Sequence, residues 1–418
     1  MSPSTPMQAR VFDLLSTVID PELGINIVDL GLVLDVQCND GEVSVTIGMT
    51  SLTCPVGPQM RDEIAYRLET QPWVRRAHVS LDRDFRWTPD RLSESARAAL
   101  GAPKPAETQP HQTTGSATGH AELAKGRLPF LLFGALSLLA GLLGGLLRIG
   151  WSIEVVPAGW VTLHGPLMVC GFLGVVITLE RAVGLEKAWG YAAPALAGAG
   201  VAAMLIPPLH GFAPILLAGA ALAMITIYVS VLFRGRSLPT FIELLGALCW
   251  LVGIGVWLSG APVYQAVPWW ALFLVLTIAG ERLELNSFLT PTPFRRASFL
   301  FLTTVSLAGA ALGAIEGPLG ARVLGVAFVG LSLWLLAFDV ARTRLSGDAL
   351  ARFIAVCLLS GYAWLAVSGS LLLAHGMQAA GLLYDATWHA LFVGFVFGMI
   401  FAHAPIVFPA VLRVPVPM

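Results

Sequence analysis

The chain has 418 residues, of which 56% are hydrophobic and 12% charged, and its formal net charge is −1. Together with a mean hydropathy of +0.75, this composition excludes a protein that is soluble over its whole length and predicts a polytopic membrane protein. A charge near zero gives no indication of a nucleic-acid-binding surface.

The apolar character is unevenly distributed along the chain. Residues 1–102 have the composition of a soluble domain, residues 103–127 are rich in Pro, Thr, Gly and Ser, and residues 128–418 are membrane-like. This predicts a small α+β N-terminal domain (the head), a flexible linker and an all-α polytopic membrane domain of about ten transmembrane helices. Because the first apolar span follows a soluble domain, it is not a signal peptide, and we expect the head to stay in the cytoplasm.

Periodicity and turn residues predict the elements of the head. Apolar residues at helical spacing follow Met7, and the run Asp20-Pro21-Glu22-Leu23-Gly24 would end that helix. The turn Asn39-Asp40-Gly41 predicts a hairpin, whose second strand alternates apolar and polar residues. The predicted elements are a helix at 7–19, strands at 26–38 and 42–49, a helix at 56–69 and a strand at 75–81.

Cys54 is the cysteine of the head whose position suggests chemistry. Pro55 would occupy the first position of the following helix, which places the sulfur beside a helix N-terminus. The partial positive charge there favours the thiolate, the form that binds metals or attacks electrophiles. A lone cysteine is also often inert, and spacing alone leaves both interpretations open.

Three motifs in the head resemble the SufT/PaaD family of metal–sulfur cluster assembly domains: DPELGINIVDLGLV, GMTSLTCPVGPQMRDEI and RWTPDRLSESARAALG. They occur in the family's order and extend over nearly all of residues 7–101. The resemblance implies a role in maturing or carrying iron–sulfur clusters, with Cys54 as the reactive cysteine that holds a cluster transiently. It also places Asp20, Glu22 and Asp29 on the family's acidic signature.

The sequence departs from the family pattern before Trp87, where DRDFRW replaces a segment that usually contains proline. Cys38 has no counterpart in the motifs, and we interpret it as a packed strand residue. Because four sulfur ligands usually hold a cluster, the Cys54 thiolate needs a second subunit, a client protein or a small thiol. The expected partners are iron–sulfur client or assembly proteins and, through the head, a second copy of the chain.

Ten apolar segments follow the linker, at 128–147, 158–179, 189–206, 211–233, 239–258, 264–280, 297–315, 318–338, 352–374 and 384–409. With the head inside, thirteen lysines and arginines lie in the segments' cytoplasmic flanks, whereas only Arg148 and Arg322 lie on the other side. This bias follows the positive-inside rule and predicts an integral protein of a bacterial-type inner membrane.

Histidines within the apolar segments are the next candidates for functional residues. An ionisable side chain in a bilayer is energetically costly and usually has a function. In this orientation, His164 in the second segment and His389 in the tenth lie at similar depth near the outer face. His403 follows fourteen residues after His389 and belongs to the inner half. That spacing corresponds to roughly 21 Å of helix and about 40° of rotation.

Neutral imidazoles on facing helices can supply both axial ligands of a haem, or part of a copper or zinc site. His403 is a further candidate metal ligand, and Met168, one turn beyond His164, is a candidate thioether ligand. The alternative is that each histidine hydrogen-bonds a neighbouring helix and that the methionine packs.

Two segments, HGPLMVCGF and WHALFVGFVFGMI, resemble histidine-bearing spans of the NnrS family of haem- and copper-containing membrane proteins. The resemblance implies haem bound through His164 and His389, copper or iron as a further metal, and a link to nitric oxide or respiratory metalloenzyme metabolism. Where the family has a second histidine two residues after the first, this chain has Pro166, which would impair a copper site and leave a haem ligand. NnrS-like proteins usually have more spans, so a shortened chain is one expectation.

Other polar residues of the segments carry less information. Glu180-Arg181, Glu281-Arg282 and Asp339 fall near cytoplasmic helix ends, where snorkelling and local pairing are expected. We find no catalytic constellation in the sequence and predict no enzymatic activity. The leading hypothesis is an iron–sulfur assembly head fused to a haem- or metal-binding membrane domain. The alternatives are a metal-free transporter or sensor, and an assembly factor merely anchored by its spans.

Overall fold

The structure is a computed structural model of the full chain. It describes residues 5–21, 23–49, 56–82, 85–100, 125–286, 292–347 and 349–412. Cys54 and Glu22, both predicted to be functional, lie outside the described residues, as does most of the predicted linker.

The described part of the head combines helices with two small sheets. Helices α1 to α3 span Pro6–Leu15, Val56–Glu69 and Glu94–Leu100, and strands β1 to β5 span Ile19–Asp20, Ile25–Asn26, Val33–Asn39, Glu42–Ile47 and Arg76–Leu81. β1 pairs with β2, and the second sheet has the order β3-β4-β5, with β3 and β4 antiparallel and β4 and β5 parallel. Alternate residues of β4 are buried, as expected for a strand with one face on a core.

The prediction of one strand over 26–38 was wrong, because a turn separates β2 from β3. The Asp29 amide donates to Asn26 Oδ1 at 2.8 Å, and Asn26 Nδ2 donates to Asp29 Oδ2 at 2.7 Å. Such local bonds compete with a strand ladder. Gly31 has a φ of +67°, and a Cβ there would lie 2.4 Å from the carbonyl oxygen of Arg91. The turn therefore requires glycine at this position.

Ten helices within the described residues are long and apolar enough to cross a bilayer. We number them α4 to α13, and they span Lys125–Arg148, Trp160–Leu185, Ala188–Leu205, Pro207–Arg234, Leu238–Leu258, Val263–Leu285, Pro293–Gly313, Gly317–Phe338, Ala349–His375 and Leu382–Leu412. Each coincides with one predicted segment, with ends shifted by a few residues. The predicted fold class, a small α+β domain followed by an all-helical region, is confirmed, and these helices are compatible with an integral membrane protein.

Glycines allow several of these helices to approach backbone to backbone. A Cβ on Gly325 of α11 would lie 2.6 Å from the carbonyl oxygen of Gly369 on α12, and a Cβ on Gly369 would lie 2.8 Å from that of Gly325. On α10, a Cβ on Gly309 would lie 2.6 Å from the Leu324 amide nitrogen of α11. Small residues at helix crossings are the usual means of close packing in a bilayer.

Buried charges join the helices near one end of the bundle. Arg282 of α9 donates two hydrogen bonds of 2.8 Å to the carboxylate of Asp339, which follows α11. The Tyr362 hydroxyl of α12 donates to the same carboxylate at 2.9 Å. Arg282 and Asp339 are 3% and 2% exposed, so the expected snorkelling of this arginine is wrong. A bidentate partner within the bundle replaces the contact with water.

The head packs against this same end of the bundle. α2 contacts the C-terminal parts of α5 and α13, and Arg61 of α2 lies 3.3 Å from the carboxylate of Glu186, which directly follows α5. Arg86 donates to the carbonyl oxygen of Arg234, the last residue of α7, at 2.7 Å. These contacts define a head side of the bundle and, at the opposite helix ends, a far side.

Substitution of Gly369 tests the close crossing of α11 and α12. Gly369→Ala places a methyl group against the Gly325 carbonyl, and we expect it to lower the free energy of unfolding by about 1–3 kcal/mol, the usual effect of overpacking. Gly255→Ala on α8 is the control, since a Cβ there meets nothing within 4 Å, and helix propensity should raise stability by about 0.5–1 kcal/mol. Thermal unfolding of the full chain in detergent measures both, and equal midpoints would contradict the crossing.

Candidate functional site

His164 of α5 and His389 of α13 lie side by side on the far side of the bundle. Their ring centroids are 6.2 Å apart, and the ring planes differ by 21°. His164 is half-buried, whereas His389 is exposed at the surface of the bundle. The structure thus brings together the two histidines that the sequence placed at similar depth.

The same kind of hydrogen bond orients both imidazoles. His164 Nδ1 lies 2.7 Å from the carbonyl oxygen of Gly141 on α4, and His389 Nδ1 lies 2.7 Å from that of Asp385, one turn earlier on α13. A carbonyl oxygen can only accept, so in each neutral ring Nδ1 carries the proton and Nε2 keeps its lone pair. Histidines that bind metals are usually held in this way.

A stretch of π-helix follows each of the two histidines. It spans Leu167–Leu173 in α5 and Ala390–Val396 in α13. Such wide turns are rare in proteins and are frequent at functional sites. Hydrophobic periodicity did not reveal them, because a single wide turn leaves the apolar pattern of a span almost unchanged.

Glycines of α4 make room for the side chains of α5. A Cβ on Gly145 would lie 2.9 Å from His164 Cε1, and a Cβ on Gly141 would lie 2.7 Å from Met168 Sδ. Met168 therefore packs on the glycine whose carbonyl orients His164. Its role as a thioether ligand stays a prediction.

An ion pair that sequence reasoning missed borders the histidines. The guanidinium of Arg148, the last residue of α4, lies 3.2 Å from the carboxylate of Asp385 and 5.5 Å from the centroid of the Tyr384 ring. Because the Asp385 carbonyl orients His389, this pair holds the histidine-bearing turn of α13 beside α4. The two charges are 237 residues apart in sequence, and no local pattern connects them.

His403 lies apart from this pair, in the head-side half of α13. Its Nδ1 is 2.8 Å from the Met399 carbonyl oxygen, and its ring lines an open cavity of about 110 Å³ between α5, α9 and α13. Glu180 and Glu281 line the same cavity. In the part of the chain that the structure describes, no three His, Cys, Asp or Glu residues are grouped to hold a metal ion. Metal binding by His403 stays a prediction.

Two carboxylates of the acidic signature in the head stabilise turns. Asp20 is buried and accepts a hydrogen bond of 3.0 Å from a backbone amide three residues later. Asp29 accepts hydrogen bonds from Asn26 Nδ2 at 2.7 Å and from Ser95 Oγ at 3.2 Å. Hydrogen bonds from Ser93, Asn26 and Ser95 lower the pKa of Asp29, against the opposing effect of burial. The signature thus joins the turn after β2 to α3.

Two other head residues singled out by the sequence are packed. Trp87 Nε1 donates to the Leu30 carbonyl oxygen at 2.8 Å, so the tryptophan after the divergent segment is anchored to the turn before β3. Cys38 on β3 packs against the head core, and burial raises the pKa of its thiol. A raised pKa disfavours the reactive thiolate, which agrees with the interpretation of Cys38 as a packed strand residue.

Comparison with known proteins divides the chain into the same two parts. Residues 8–81 match the family model described as "Iron-sulfur cluster assembly protein", and residues 127–418 match that of a domain of unknown function, DUF8744. The Fe-S protein maturation auxiliary factor YitW of Bacillus subtilis is 38% identical over 96 residues, which make up 23% of this chain and 94% of that protein. The chain belongs to both families.

Other relatives match the head in the same way. The Fe-S protein maturation auxiliary factor SufT of Staphylococcus aureus is 44% identical over 85 residues, which make up 20% of this chain and 97% of that protein. A solved structure, a domain of unknown function (DUF59) from Bacillus anthracis, is 37% identical over 22% of this chain and 90% of that chain, with a TM-score of 0.22. The sequence relatives confirm the predicted SufT-like assembly domain.

The match to DUF8744 includes both histidine-bearing helices, α5 and α13. The description of that family names no activity, cofactor or substrate. The resemblance to NnrS proteins, with the haem and copper that it implies, therefore stays a prediction.

The lowered pKa of Asp29 predicts a pH-dependent stability of the head. The Asp29 carboxylate stabilises the folded head fully above the ordinary aspartate pKa of about 3.9. This stabilisation is lost as pH falls through the lower pKa of the folded state. We expect Asp29→Asn to lower stability by about 1 kcal/mol at neutral pH, and the difference from the unsubstituted chain to vanish in acid. Asp35→Asn, which alters a carboxylate bonded to Gln37 at the surface, is the control.

Hydrogen-exchange mass spectrometry of the β3–β4 hairpin in the full chain, corrected for the intrinsic rate at each pH, measures this effect. A difference between the Asp29 variant and the unsubstituted chain that is independent of pH would contradict the linkage.

Proposed function

We propose that this chain is an integral membrane iron–sulfur maturation factor whose helical domain holds a haem between His164 and His389. The observation that carries the proposal is the separation of 6.2 Å between the two ring centroids. Two imidazoles that share one metal ion, with metal–nitrogen distances of about 2.0–2.1 Å, can have their centroids roughly 6 Å apart. The separation suits one shared metal ion.

The orientation and surroundings of the rings support the same proposal. Both Nδ1 atoms are bonded to carbonyl oxygens, so Nε2 of each ring is the nitrogen that would bind the iron. The pair opens to the surface of the bundle at His389, and exposed apolar residues at the neighbouring helix ends, Ile149, Trp151 and Leu382, suit the edge of an apolar macrocycle. A haem held by His164 and His389 would supply one-electron transfer.

The head supplies the maturation function in this proposal. Its relatives are named Fe-S protein maturation auxiliary factors, and we extend that role to this chain. Cys54 would hold the cluster, which is cargo, together with thiolates of a client protein or of a second copy of the chain. The positive-inside bias supports a cytoplasmic head, where thiols stay reduced.

The contact between the two parts supports a joint function. α2, which begins two residues after Cys54, packs on the head-side ends of α5 and α13. The far-side halves of these same helices carry the two histidines. A change in packing at the histidines therefore has a continuous helical route to the base of the head.

A second candidate function is a metal-free transporter or sensor. The buried ion pairs that Arg181 makes with Glu243 and Glu281 across three helices favour it, since charges within membrane helices often mark ion pathways. The two candidates differ in whether the purified protein carries a chromophore.

The visible absorption spectrum of the full chain, purified from membranes, tests haem binding. We expect a Soret band and stoichiometric iron, and we expect His164→Ala and His389→Ala each to reduce the haem content at least tenfold, because one axial ligand is lost. His375→Ala, at the exposed end of α12, is the control and should retain haem. A protein without a Soret band and without bound iron or copper would remove the proposal and favour the second candidate.

Substitution of Cys54 tests the proposed role of the head. In cells whose iron–sulfur enzymes depend on this chain, we expect Cys54→Ser to abolish their maturation, because a hydroxyl does not replace a thiolate ligand. Cys38→Ser, in the same domain, should retain it. Activity of a client enzyme at constant protein level is the measurement, and full activity with Cys54→Ser would show that the head acts without this cysteine.

A further inference from the structure

Arg181 of α5 is shared between two carboxylates in the head-side half of the bundle. It forms a close ion pair with Glu281 of α9, and its Nη1 lies 3.9 Å from Glu243 Oε1 of α8. The side chains of Arg181 and Glu243 are 3% and 1% exposed, whereas that of Glu281 is 22% exposed. One positive charge thus faces an inner carboxylate that is fully buried and an outer one that is accessible.

Glu243 has no hydrogen bond within the described part of the chain. Both of its carboxylate oxygens are buried without a donor. Gly280 of α9 leaves the space that the Glu243 side chain occupies, since a Cβ there would lie 2.7 Å from Glu243 Cγ. A buried ionised carboxylate without a hydrogen bond is strongly disfavoured, so this site needs a ligand or a proton.

The other charged groups near the site do not supply a second positive charge. Glu180 and Glu284 also act electrostatically on Arg181, which adds negative charge from α5 and α9. Arg282, the next arginine of α9, is bonded to Asp339. The Tyr228 ring lies under the Arg181 guanidinium, 6.0 Å from its Cζ.

A proton matches this site better than a metal ion does. No group of three metal-ligating side chains exists among the residues that the structure describes, and one guanidinium can neutralise one carboxylate. The close pair with Glu281 satisfies the charge of Arg181. An ionised Glu243 would have no hydrogen bond among the described residues and would share its one countercharge, Arg181, with Glu281, which favours the protonated form of Glu243.

We propose that Glu243 and Glu281 share one exchangeable proton around Arg181, which makes this cluster a proton-binding site of the membrane domain. Glu281 lines the open cavity of about 110 Å³ beside His403 and Thr277, and this cavity is the route by which the proton is exchanged. When the proton passes from Glu243 to Glu281, Arg181 changes its ion-pair partner from Glu281 to Glu243, and Glu281 then exchanges the proton with the cavity. The cluster holds one proton and one ion pair in both states, so charge is conserved. The site does not depend on the haem proposed above.

Infrared spectroscopy of the full chain in lipid nanodiscs tests this proposal. At neutral pH the wild-type protein should show the carbonyl stretch of one protonated carboxylic acid within the bundle. Glu243→Gln should abolish that band. Glu281→Gln should abolish it as well, because the single remaining carboxylate then pairs with Arg181. Glu316→Gln, at an exposed position before α11 on the far side of the bundle, is the matched control and should retain the band at full intensity.

Other outcomes would overturn the proposal. A band lost in Glu243→Gln and kept in Glu281→Gln would show a buried neutral acid that shares no proton. A wild-type spectrum without the band would show that both carboxylates are ionised. Should a variant fail to fold, as judged by thermal unfolding, the wild-type protein in D₂O decides: a prompt deuterium shift of the band supports exchange through the cavity, and an unshifted band contradicts it.

Discussion

A polar group buried within this bundle must find its partner inside the protein, because the apolar interior offers it no water. That constraint accounts for the placement of most of the chemistry described above. The two far-side imidazoles donate to backbone carbonyls, and Arg282, Asp339 and Tyr362 satisfy one another. Glu243 is one of the exceptions among the described residues, since neither of its carboxylate oxygens has such a partner.

The helices α5 and α13 carry most of the proposed function. Each has a histidine on the far side, followed by a π-helical stretch. The head-side end of each contacts α2 of the head. Arg181 and His403 occupy the head-side halves of the same two helices, with a cavity between them. The histidine pair and the proposed proton site thus lie at two levels of one helix pair, and residues of α9 line the cavity beside them.

At some positions the sequence did not predict the contacts or the local fold that the structure contains. For Glu180-Arg181 and Glu281-Arg282 the sequence predicts snorkelling and local pairing, since a pattern of charges near a helix end does not show what lies opposite. Their partners, Glu243 and Asp339, come from helices distant in sequence. The strand predicted at 26–38 failed for a local reason, because the bonds between Asn26 and Asp29 and the positive φ of Gly31 form a turn.

The sequence by itself determined what depends on local composition and spacing. Hydropathy located all ten long helices, turn residues located the hairpin of the head, and three motifs placed the head in its family. The tertiary structure decided which side chains meet. The 6.2 Å between His164 and His389, the glycine contacts that set it and the sharing of Arg181 by two carboxylates depend on how helices pack. Helix packing depends on many weak contacts between distant segments, and no single stretch of sequence records them.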